Sequence, residues 1–202
     1  MEFNTESILN AFAMMSGWEI VATLFGIAYV ILAAKESLWT WFFAFFGTLI
    51  YTIIFWEGAL VSSSILNFYY MIMAIYGFIL WRGDKEEKPL EVTRYGVSKN
   101  IAIILVGLVA SAILGYISDT YLDAKFAYLD AFVMTFSIIA TWMLANKILE
   151  NWLYWMVVDS MGLFLYFKSG YYATVVLFML YVILAFYGYY EWRKDISENR
   201  FK

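Results

Sequence analysis

At 202 residues, 64% hydrophobic and 22% aromatic with only 15% charged, the chain lies far from the roughly 45–50% apolar and 25% charged of a soluble domain. Nine Trp, seventeen Tyr and eighteen Phe could not be kept from water in a soluble fold of this length without patches that aggregate, so the composition points to lipid. A net charge of −4 argues against nucleic acid as a partner, the lack of Cys excludes thiol chemistry and disulfides, and the lack of His removes the usual metal ligand and proton shuttle.

In chain order, residues 1–16 set Phe3, Ile8, Leu9, Phe12 and Met15 among polar residues and read as an amphipathic surface helix. It lacks the basic start and cleavage site of a secretory signal and is expected to stay in the mature chain. A bilayer core about 30 Å thick takes about 20 apolar residues per helix. Seven largely apolar runs meet that need, near residues 17–34, 38–56, 60–81, 100–118, 127–146, 152–167 and 171–192. Tiny connectors join the first three, so neighbours pack antiparallel. The polar stretch 82–99, with Gly83 and the sole proline, Pro89, reads as a linker, and the charges from Asp84 to Glu87 within it read as a solvated loop. Eleven of the thirteen Lys and Arg residues share the face of the linker and the C-terminus, against Lys125 and Lys168 on the other. The positive-inside rule places the N-terminus outside and the C-terminus in the cytoplasm.

Sliding the chain on itself by 111 residues pairs Trp41 with Trp152, Leu66 with Leu177, Tyr70 with Tyr181, and Ala74 with Ala185. The register continues through Tyr76-Gly77 and Tyr187-Gly188 to Trp81-Arg82 and Trp192-Arg193, and sets Glu19 opposite Asp130. The expected fold is therefore all-α and integral to the membrane, seven helices in a parallel 3+1+3 repeat. Its units are an N-terminal segment 1–16, a first bundle 17–82, a linker with its crossing helix 83–126, a second bundle 127–193, and a tail 194–202. Transporters with such repeats bind substrate near the midplane between them.

A carboxylate at the bilayer centre costs at least about 2.5–3.5 kcal/mol and is a functional candidate by default. Asp159 is the clearest, about 12 Å into its helix at 1.5 Å per residue. Trp152, Trp155 and Asp159 are spaced three and four residues apart and lie on one helical face, a stripe suited to a planar cation. The bland reading makes Asp159 an interhelical hydrogen-bonding group and the tryptophans part of an interfacial belt. Asn67 could bind a carboxamide or sugar hydroxyl or simply join helices, with Tyr70 and its repeat mate Tyr181 on the same face. Thr141 and Trp142 could line a path. Asp130 and Glu19 sit at outer helix ends where solvation alone would account for them. Trp39, Trp56, Trp81 and Trp192 read as belt anchors. Scattered acids argue against a membrane enzyme, which would gather carboxylates or histidines at one interface.

The segment from Asp130, reading LDAFVMTFSIIATWMLANKILENWLYWMVVDSMGLFLYFKSGYYATVVLFMLY and then YGYYEWRK, resembles the PnuC family of bacterial vitamin transporters. WEIVATLFGIAYVILAAKES and LNFYYMIMAIYGFILW are similar to that family's first half, and ENWLYWMVVD, with Trp152, Trp155 and Asp159, is the most specific part. The resemblance implies a SWEET-like fold in a homotrimer of the bacterial cytoplasmic membrane. It also implies uptake of nicotinamide riboside by facilitated diffusion, with trapping by intracellular phosphorylation and no cofactor. Asn67 stands where glutamine is common and Phe78 where tryptophan is common, leaving thiamine as the alternative cargo and riboflavin as a further one.

Overall fold

Segments that must live in lipid satisfy their backbone groups internally, and the apolar runs fold as helices. A computed structural model describes residues 5–58, 61–83, 90–122 and 126–199. Among these are α1 (Thr5–Ala13), α2 (Gly17–Ala34), α3 (Trp39–Glu57), α4 (Val61–Arg82), α5 (Val97–Leu122), α6 (Ala127–Ala145), α7 (Asn151–Ser169) and α8 (Tyr172–Asn199). Each predicted run corresponds to one of α2 to α8, with α5 extended at both ends and α8 continuing past residue 192. Phe3, Lys125, Pro89 and the Asp84–Glu87 run lie outside the described residues. Six helices, α2 to α6 and α8, are long and apolar enough to span a membrane by length and composition. The less apolar α7, with Asn151, Asp159, Ser160 and Lys168, is not among them.

Helix α3 packs between α2 and α4, and α7 between α6 and α8. The two trios meet where α2 lies on α8 and α4 on α6, while α5 rests on α6 and α1 on α8. The 111-residue offset reappears in the backbone. Helix α2 ends at Lys35 (φ −90°, ψ 9°) and α6 at Asn146 (φ −90°, ψ 11°), each followed by a left-handed residue, Glu36 (φ 53°) and Lys147 (φ 51°). Ser37 N donates to Leu32 O at 2.9 Å, and Ile148 N to Met143 O at 2.9 Å, closing the same helix-ending motif twice.

Glycine normally fills that left-handed position, because a side chain there costs roughly 1–2 kcal/mol. The two residues that occupy it bond to each other across the halves. Lys147 Nζ lies 2.6 Å from Glu36 Oε2 and 4.8 Å above the Trp81 ring. Beneath this pair four indoles form a chain. Trp41 meets Trp81 edge-on at 5.1 Å, Trp81 reaches Trp192 at 6.1 Å, and Trp192 meets Trp152 edge-on at 5.5 Å. Trp81 Nε1 donates to Ala145 O at 3.0 Å and Trp192 Nε1 to Ala33 O at 3.1 Å, so each half caps a helix end of the other.

Two belt assignments are thereby corrected. Trp39 and Trp56 are exposed as an interfacial anchor should be, but Trp192 is fully buried and Trp81 packs into the core beside it. Their hydrogen bonds to opposing helix ends hold them inside. The rings of Trp41 and Trp152 fill the space where a side chain on Gly77 or Gly188 would stand. Gly77→Ala and Gly188→Ala should each lower the unfolding temperature in detergent, at a cost of about 2 kcal/mol from overpacking. By the symmetry of the two sites the losses should be similar.

Gly107, Ser111 and Gly115 form the buried stripe of α5, where small residues let Phe136 and Tyr128 of α6 approach. The end of the linker is not free. Thr93 N donates to Lys147 O at 2.9 Å, Leu149 N donates to Thr93 O at 2.8 Å, and Tyr95 N donates to Glu150 Oε2 at 3.0 Å. This staple covers the α6–α7 connector, while the matching α2–α3 connector remains partly open.

Candidate functional site

Asp159 is the ninth residue of α7, with two helical turns on either side, and is 5% exposed. Among the described residues no Lys or Arg pairs with it and it accepts no hydrogen bond. A lone buried carboxylate is a costly arrangement. Its surroundings are polar at a distance: its charge is felt at the hydroxyls of Tyr29 on α2, Tyr70 on α4 and Tyr181 on α8. One acid from the second half thus lies within electrostatic reach of tyrosines from both halves. All three tyrosines are partly buried, neither sealed in the core nor fully open to the surface.

Each tyrosine is delivered by its helix for a visible reason. The Tyr181 hydroxyl lies where a side chain on Gly26 would stand, so the absence of one on α2 admits it. The Tyr70 hydroxyl faces Ser137 of α6. Its neighbour Tyr69 donates to Ile138 O at 3.1 Å, fastening α4 to α6. Trp155 sits one turn before Asp159, half-buried and touching both apolar cores.

The other candidates are placed less centrally. Trp152 is 2% exposed, with Trp192 against one side and Gly188 against its ring, which leaves no face for a ligand in this arrangement. Asn67 Nδ2 donates to Ser63 O at 2.9 Å within its own helix. Thr141 is buried and donates to Ser137 O at 2.8 Å, behind the Tyr70 contact. Trp142 is 42% exposed and joins none of these groups. Asp130 is exposed in the first turn of α6, and its charge reaches Tyr166 of α7.

Tyr29, Tyr51, Tyr166 and Ser137 belong to the polar interior and were not singled out from sequence. Tyrosine in an apolar run of an aromatic-rich chain carries no mark of its own. Tyr29 lies within reach of Asp159, Tyr166 of Asp130 and Tyr51 of Glu19, and Ser137 faces Tyr70, proximities that only the fold supplies. Among the described residues no three His, Cys, Asp or Glu side chains gather as a metal site.

Comparison with known proteins agrees with the all-helical architecture. The family described as "Nicotinamide mononucleotide transporter" matches residues 16–194. The chain is 22% identical to the nicotinamide riboside transporter PnuC of Escherichia coli, over 92% of this chain and 88% of that one. It is 29% identical to the riboflavin/roseoflavin transporter RibM of Streptomyces davaonensis, over 86% and 83% respectively. The crystal structure of the vitamin B3 transporter PnuC superposes with a TM-score of 0.75 at 21% identity, covering 96% of this chain and 87% of that one.

Proposed function

This chain belongs to the nicotinamide mononucleotide transporter family, and from that premise we propose that it carries nicotinamide riboside across the bacterial cytoplasmic membrane by facilitated diffusion. The observation that carries the reading is the lone buried acid, Asp159, within electrostatic reach of Tyr29, Tyr70 and Tyr181 from both halves. A pyridinium cation would compensate the carboxylate, and hydroxyls around it suit a ribose and a carboxamide. Trp155 offers a stacking face one turn away. Thr141 supports this centre from behind through Ser137, while Asn67 and Trp142 stand apart from it.

The seven-helix 3+1+3 arrangement, with the N-terminus outside and the C-terminus cytoplasmic, is the frame we propose for alternating access. The Glu36–Lys147 pair and the tryptophan chain then close the cytoplasmic end, and Trp152 becomes available to cargo only when that end opens. The outward apolar face of α5, from Leu105 to Ile113, is left to lipid or to the other copies of a homotrimer.

A second reading has a specific source, since one relative bears the name of a riboflavin transporter. Riboflavin is neutral and would leave Asp159 uncompensated, which favours a cation, with thiamine the alternative. Titrating purified protein with nicotinamide riboside, thiamine and riboflavin while following tryptophan fluorescence separates the three. Saturable quenching by nicotinamide riboside is expected. A response to thiamine or riboflavin alone would reassign the cargo, and no response to any would remove the vitamin reading.

A further inference from the structure

We infer that the outer part of the interface between the halves holds a second binding station, where a flat aromatic cation rests against Tyr166 and Tyr51 before it reaches Asp159. This rests on the transport reading and extends it to a site on the way in. Rings descend from the α7–α8 turn as a ladder: Tyr171 to Tyr166 at 6.3 Å, Tyr166 to Phe178 at 5.0 Å, and Phe178 to Tyr181 at 5.9 Å between centroids. Tyr181 is already among the tyrosines within reach of Asp159, so the ladder ends at the central site. Unlike Trp41, Trp152 and Trp192 at the opposite end, Tyr166 and Phe178 remain part-exposed.

The first half faces this ladder with Tyr51 of α3. Its hydroxyl is 2.8 Å from Thr23 Oγ1 and its ring stacks on Phe55 at 5.5 Å, which fixes its orientation. Thr23 stands one turn of α2 from Gly26, where the Tyr181 hydroxyl sits, so Tyr51 meets the foot of the ladder along α2. Each wall also brings an acid to its tyrosine, since the charge of Glu19 reaches Tyr51 and that of Asp130 reaches Tyr166. These acids are repeat mates with different duties. Glu19 accepts from Ser16 N at 2.6 Å and caps α2, whereas the Asp130 carboxylate is exposed and accepts no hydrogen bond among the described residues. The nearby cation Lys168 rests 5.6 Å above Phe164, two positions from Gly162 and Tyr166 and so on the far side of α7. The Tyr166 ladder and Tyr51 thus meet along α2, each with an acid of its own half within reach and neither acid paired with a described Lys or Arg, a combination that attracts a flat cation by stacking and by field.

Uptake kinetics in proteoliposomes test this with two cargoes, nicotinamide riboside and its uncharged dihydropyridine form. Tyr166→Leu should raise KM for the cation about tenfold with Vmax nearly unchanged, and Tyr166→Phe should restore it. Asp130→Asn, at an exposed position that folding tolerates, should raise KM for the cation and not for the uncharged form. Unchanged KM in Tyr166→Leu and Asp130→Asn, in a protein that still transports, overturns the station while leaving the central site standing. A fall in Vmax alone would show a packing role and overturn it equally. Wild-type protein that takes up neither nicotinamide riboside nor thiamine overturns the transport reading and the station with it.

Discussion

Asp159→Asn is expected to weaken nicotinamide riboside binding by about a hundredfold or more while leaving the empty protein at least as stable as before. Both halves of that expectation follow from the same geometry. Among the described residues the buried carboxylate has no cation or hydrogen-bond donor of its own, so in the empty protein its desolvation is uncompensated. Asparagine keeps the shape and removes the charge. With cargo bound, the substitution breaks a buried pair, an effect of about 3–5 kcal/mol, and each 1.4 kcal/mol is about a factor of ten in affinity.

The measurement is a fluorescence titration beside a thermal melt of the same preparation. Weakened binding with an unchanged or raised melting temperature supports the site, and riboflavin, being neutral, should show no comparable loss. Wild-type affinity in the variant would make Asp159 a structural residue. A lowered melting temperature with affinity retained would say the same.

Much of this architecture is legible in the chain because the bilayer imposes it. A run such as residues 127–146 has one way to satisfy its backbone in lipid, and the observed α6 (Ala127–Ala145) departs from it by a single residue. The 111-residue offset is legible for a related reason: Trp41 and Trp152 each need a glycine opposite, and Gly77 and Gly188 keep the same spacing. Asp159 stands out because a lone acid in an apolar run is rare.

What composition could not show is which aromatic faces the interior. Trp152 and Trp155 share a helical face, yet one is locked under Trp192 and the other borders the central group. Trp192 resembled a belt residue because it closes an apolar run, and its burial depends on Ala33 O, 159 residues away in sequence. Nothing local distinguishes Tyr29 from the other tyrosines. The linker staple is also invisible in side chains, since Thr93 pairs with the 147–149 connector through its backbone.

Reversing either charge of the Glu36–Lys147 pair should open the end of the molecule that the four tryptophans close, and reversing both should close it again. The pair joins equivalent positions of the two halves, 2.6 Å apart, and both residues hold a left-handed backbone that glycine would adopt more cheaply. Keeping a charged side chain at both positions is intelligible if the pair latches one half to the other. In K147E two carboxylates would meet at this partly buried junction, a change of about 3 kcal/mol by comparison with broken buried pairs, or about a hundredfold in the balance between closed and open. The double variant E36K/K147E keeps two non-glycine residues at the left-handed positions, so the backbone cost is constant and only the charges are exchanged. The swapped lysine would also stand toward Trp192, the repeat mate of the Trp81 ring that Lys147 now covers.

The chain contains no cysteine, so a single Ala74→Cys, buried at 2% exposure in the core that contains Trp41, Trp152 and Trp192, reports opening by its rate of maleimide labelling. Slow labelling is expected in the parent, fast labelling in K147E and in E36K, and slow labelling again in the double variant. Equal rates in all four would mean that the tryptophan chain closes this end unaided. Fast labelling that persists in the double variant would mean that the side chains at 36 and 147 act through local packing rather than through their mutual charge.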